Sequence, residues 1–162
     1  MHAEQRRFLE ERYDASAWHG RSPRRGRPLK GFTFEGVEIP GWALLRTQRD
    51  DREEPPAIRS IWSRGEDRLL AVDLFECASV KAAHDQLIEA LGNFESDAIE
   101  RQAEKGAPGD VAFALGDTMV LFARGNLVVL IRNAGRTAVS VRKVARELDG
   151  LLGERLESEG RR

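Results

Sequence analysis

The chain of 162 residues has one cysteine, Cys77, so no intramolecular disulfide can hold it and its fold rests on an apolar core. It also lacks any apolar run approaching the roughly 20 residues of a membrane-spanning helix. The opening MHAEQRRFLEERY is too charged for the apolar region of a secretory leader. The expectation is a cytoplasmic protein with no membrane partner; the alternative is an exported one whose leader was removed ahead of Met1. Net charge is almost absent, at −1, which excludes a global electrostatic pull toward nucleic acid or acidic surfaces. Lysine is scarce, at 4 of the 26 basic residues. That arginine bias makes Arg-Gly-Pro clusters common by composition alone. There is no glycine-rich phosphate loop, no GxSxG elbow and no CxxC pair. Nothing in the sequence calls for a cofactor or a metal.

What is present is a folding pattern, densest from Asp110 to Leu152. Val111, Phe113 and Leu115 alternate with small neighbours, the two-residue period of a half-buried strand. Gly116-Asp117 reads as a two-residue II′ turn, and Gly125-Asn126 as a second hairpin after Met119–Arg124. Leu127 to Ile131 is nearly continuous in apolar residues, as suits a strand covered on both faces. Ser140 is placed to cap a helix whose Val141, Val144, Ala145, Leu148 and Leu152 share one face, with Gly153 closing it.

Upstream, Ala57–Ser63 and Arg68–Phe75 predict a hairpin around Arg64-Gly65, and Ser79 caps a helix ending at Gly92. Two strand-like pieces, Phe32–Glu38 and Trp42–Thr47, are split by Pro40-Gly41. Residues 93–109 hold a short strand or a helical turn. SVKAAHDQLIEALG (79–92) echoes SVRKVARELDGLLG (140–153), and each follows a hairpin whose turn contains Arg-Gly. The pattern predicts an α+β fold: one antiparallel sheet of six or seven strands with two helices on it, whether the echo marks a β-β-α pseudo-repeat or only the common look of capped amphipathic helices. The expected divisions are an N-terminal helix and arginine-rich arm (1–30), one domain (31–153) and a charged tail (154–162).

The segments GDVAF (109–113), RGNLVVLI (124–131) and SVRKVARELDGLL (140–152) resemble the closing half of small bacterial domains with a PsbP/Mog1-like antiparallel α/β sandwich. That resemblance implies a binding or accessory module, often exported. It carries no catalytic residue.

Four chemistries are candidates. Trp42 and Trp62, on predicted strands, are core residues unless the helices leave a cavity for an apolar ligand. Within RSPRRGRPLK (21–30), residues Arg24, Arg25, Gly26, Arg27 and Lys30 resemble an AT-hook core, which would lie in a narrow minor groove; a solvated linker is the bland reading. Cys77 with His84 could form a nucleophile pair, but no orienting third group stands near them in sequence. Residues 66–110 carry 11 acidic and 4 basic side chains, and Asp73, Glu76 and Asp110 would serve a small hydrolase if they converged. The balance favours a non-enzymatic binding or accessory module for a protein or small apolar ligand. A DNA-associated protein and a hydrolase are the alternatives, and the open edges of such a sheet allow a homodimer.

Overall fold

The computed structural model describes residues 1–18, 27–94 and 96–160. One sheet of seven antiparallel strands forms the middle layer: β1 (Ala43–Asp50), β2 (Ala57–Ser63), β3 (Leu69–Glu76), β4 (Glu100–Gln102), β5 (Val111–Leu115), β6 (Met119–Arg124) and β7 (Leu127–Asn133). Their order across the sheet is β1-β2-β3-β7-β6-β5-β4. Two meanders therefore meet at the β3–β7 pair, and both Arg-Gly hairpins form as the turn residues predict. Gly125 supplies the positive φ, 59°, at the first central position of its two-residue turn.

Strand alternation divides the core in two. On one face Leu70, Val72, Leu74, Val120, Phe122, Val129 and Ile131 pack beneath α3 (Val141–Gly160). On the other, Phe113, Leu121, Ala123 and Val128 pack beneath α2 (Val80–Gly92). The apolar run of β7 is thus covered on both sides. Because β3 and β7 are antiparallel neighbours, only a twofold normal to the sheet could relate the two halves. It would put α2 and α3 on the same face, and they lie on opposite faces. The sequence echo is not a spatial repeat.

Four local expectations are corrected. Phe32–Glu38 is not a strand but an irregular strap, because the backbone N–H groups of Gly31 and Phe32 donate to the Glu76 carboxylate (3.0 and 2.9 Å) instead of to a ladder. The β5–β6 connection has three residues, 116–118, with the Thr118 N–H closing on Leu115 O. The α3 N-terminus is capped by Asp117 across the fold: its Oδ1 accepts from Arg142 N (3.1 Å) while Ser140 Oγ donates to the same oxygen (3.2 Å). Gly153 does not end α3, which continues to Gly160, so the expected charged tail is largely helix. Ser79 does cap α2, accepting from Ala82 N at 3.0 Å.

The expected N-terminal arm is also more integrated than its composition suggests. Helix α1 (Ala3–Arg12) lies against α2, and Leu9, Tyr13 and Trp18 are buried with Phe113 and Leu87. Residues 93–109 contain the short strand β4.

Three polar clamps tie these layers together. The Arg49 guanidinium grips Glu76 through two bonds of 2.9 and 3.0 Å, and also donates to Phe32 O. The Asn126 amide donates to Leu29 O and Cys77 O while its oxygen accepts from Leu29 N. Arg124 holds Asp149 of α3 in a two-bond fork of 2.8 and 2.7 Å.

Burial opposes ionisation of Glu76, but the Arg49 bonds and the two backbone donors outweigh it and hold its carboxyl below the ordinary value of 4.5. The stability this contributes is complete above that ordinary value and disappears as pH falls through the lower native one. Glu76→Gln is therefore expected to unfold more readily at neutral pH and to lose part of the acid slope of the wild type. Glu76→Ala is expected to cost about 2 kcal/mol by denaturant titration, because the half-buried Arg49 guanidinium and the Gly31 and Phe32 N–H groups lose their shared acceptor.

Candidate functional site

Both α2 and α3 sit over β6 and β7. The strap from Leu29 to Trp42 completes the α3 side over β1–β3, placing Phe32, Phe34 and Ile39 against Ile58, Trp62 and Leu70. Among the described residues, no helix covers the opposite side of β1–β3. Register defines what is displayed there. Arg46, Ile61, Ala71 and Arg132 form one cross-strand row, and Gln48, Arg59, Asp73 and Leu130 form the next. Ala71 is small among longer neighbours, so the rows enclose a trough of about 470 Å³.

Its charges are unequally engaged. Arg59 is held at the rim by Glu53 through bonds of 2.8 and 3.1 Å. Arg132 Nη2 lies 3.6 Å from Asp73 Oδ2, an ion pair beyond hydrogen-bond length, with half of the arginine side chain exposed. Arg46 makes no ion pair among the described residues. Burial pushes the Asp73 carboxyl above its ordinary value, and the fields of Arg132 and Arg59 pull it only part of the way back. The trough thus presents three guanidinium groups around one poorly compensated carboxylate, on an apolar floor.

The predicted catalytic groups are distributed elsewhere. Asp73 and Glu76 project from opposite faces of β3. Glu76 is occupied by the strap, and Asp110 Oδ2 accepts from Gly125 N at 2.8 Å. Three carboxylates in these separate structural roles do not form an acid–base pair. The Cys77 thiol is buried, with Sγ against Phe75 O, and burial pushes it up to about 12. Burial thus favours the neutral thiol over the thiolate, which gives the Cys77–His84 reading no activated nucleophile. His84 meets the ring of Trp18 edge-on at 5.7 Å in the cleft between α1 and α2, and its buried Nε2 has no hydrogen-bond partner among the described residues. Burial lowers its pKa, so the neutral ring is favoured there.

Trp62 is 1% exposed, packed on Phe34, and its indole N–H donates to Ser60 Oγ. Trp42 is half-buried against the same cluster. These rings fill core space. Of the AT-hook-like residues, Arg24, Arg25 and Gly26 lie outside the described residues. Arg27 and Lys30 are exposed on either side of the anchored Leu29. The trough residues Arg59, Ile61, Ala71 and Arg132 were not singled out from sequence. They lie on three strands, and only their register across β2, β3 and β7 brings them together, which no single strand's pattern shows.

The raised Asp73 pKa has a stability consequence. Its ionised form is penalised in the folded state, so the penalty is present at neutral pH and absent below the ordinary carboxyl value of 3.8. Asp73→Asn is expected to raise the melting temperature at pH 7 relative to wild type, with the gain vanishing in acid. Alkylation of native Cys77 by iodoacetamide is expected to be slow at neutral pH and to become fast only on unfolding.

No protein-family model, curated protein or solved structure matches the chain.

Proposed function

We propose that this protein is a non-catalytic binding module that takes an acidic polypeptide segment in the trough on the uncovered half of its sheet. The observation that carries this reading is the lopsided placement of α2 and α3 over β6 and β7, which leaves a formed, charged concavity on one side of β1–β3. A face meant only for solvent needs no hollow floor of Ile61 and Ala71. Arginine suits the task because its planar fork pairs with carboxylates through two parallel bonds. Arg132 is the principal anchor: it is half exposed and only loosely held by Asp73. The helix–antiparallel sheet–helix layering is of the kind that the PsbP/Mog1-like resemblance implies, and the reading as a binding module rests on the trough and not on that layering.

The test is a titration of the labelled protein with a glutamate-rich decapeptide, followed by amide chemical shifts. Shifts are expected at Ile61, Ala71, Asp73 and Arg132, falling with added salt and largely abolished by Arg132→Glu. Shifts confined to the α1–α2 cleft, or unchanged in Arg132→Glu, would place binding elsewhere and overturn the reading.

A further inference from the structure

The two ends of the sheet differ. The β4 edge is three residues long, whereas β1 offers eight residues with no strand on its outer side among the described residues. Long bare edges are ordinarily guarded by charge, since an unpaired ladder recruits other strands. The charges on β1 do not guard it uniformly, because they are ordered. On the trough side the strand reads Arg46, Gln48, Asp50: positive, neutral, negative. Such a row is self-complementary when read backwards. On the other side Arg49 is already engaged by Glu76 and Asp51, so it does not oppose an approaching strand.

From this we infer that β1 pairs antiparallel with β1 of a second copy of the chain, about a twofold axis at Gln48. In that register each Arg46 faces Asp50 of the other copy, and the two Gln48 amides face each other. Cross-strand pairs of opposite charge favour such a ladder, and like charges directly opposite disfavour it. Two further observations fit. Arg46 lacks an acidic partner within its own chain among the described residues. Leu45, the extra residue of the bulge between Leu44 and Arg46, is 58% exposed beside the edge. Asp50 is held by Arg52 through its backbone N–H and side chain, and that arginine is almost fully exposed and free to move aside.

The consequence reaches the trough. The row Leu130-Asp73-Arg59-Gln48 would continue through the axis into its copy, so each protomer would extend the other's binding face. The inference rests on the trough reading for that consequence alone; the pairing itself is tested by mass.

Sedimentation equilibrium across a concentration series is expected to approach twice the 18.2 kDa chain mass. Arg46→Asp and Asp50→Arg, each alone, are expected to return the monomer, because each sets like charges opposite one another twice. The double variant restores both pairs in reversed order and is expected to regain the dimer. A wild type that stays monomeric throughout, or single variants that dimerise as well as wild type, would overturn the inference. So would a dimeric wild type that the double variant fails to rescue while its melting curve matches wild type. Glutamate-peptide shifts in a monomeric protein would leave the trough reading standing and the pairing refuted.

Discussion

The fold depends on one buried carboxylate that gathers elements far apart in sequence. Glu76, at the end of β3, receives two bonds from Arg49 of β1 and two from the strap backbone at Gly31 and Phe32. That carboxylate fixes where the middle of the strap crosses the sheet, so that Phe32 and Phe34 reach Trp62 and Leu70 and close the α3 side of β1–β3. An ion pair of this kind contributes little net stability over an apolar substitute, but it specifies which segment docks and in what position. Asn126 repeats the logic with a neutral group. All three of its observed bonds go to backbone, and they fix Leu29 beside the β6–β7 turn.

This clamp also explains the asymmetry that makes a site. The strap closes one face of β1–β3, and the helices close both faces of β6–β7. Among the described residues, one quadrant of the sheet remains without cover. Its rows mix charged side chains with Ile61 and Leu130, and Ala71 supplies the hollow. The charged trough is therefore a by-product of where the apolar mass was spent.

Local pattern was the readable part of this chain. The hairpins, β7 and both main helices follow from period, turn residues and apolar faces, and Ser79 caps as its position predicts. Two of the failures are local, the three-residue 116–118 connection and the continuation of α3 past Gly153; the others are long-range. Ser140 has the chemistry of a cap, but Asp117 holds the helix end because the hairpin turn lies against it, 25 residues away in sequence. Phe32–Glu38 alternates like a strand, but Glu76 takes the Phe32 N–H, and the Glu35 and Val37 N–H groups turn back on Thr33 Oγ1 and Phe34 O. Gly135 breaks the pattern for a reason no window shows: a Cβ there would sit 2.4 Å from Asp67 O of the other hairpin. Asp73 and Glu76 look like neighbours on paper, three residues apart. The pleat sends them to opposite sides of the sheet.

Asp117 closes the β5–β6 hairpin and starts α3, so a single carboxylate joins two elements of one continuous stretch. That stretch can form early, since its loops are short and cost little entropy to close. The strap is the reverse case. Leu29 finds Asn126 across 97 residues of chain. By loop-closure entropy its docking is expected to follow the closing of the β6–β7 turn, so that Trp62 and Phe34 gain their cover last.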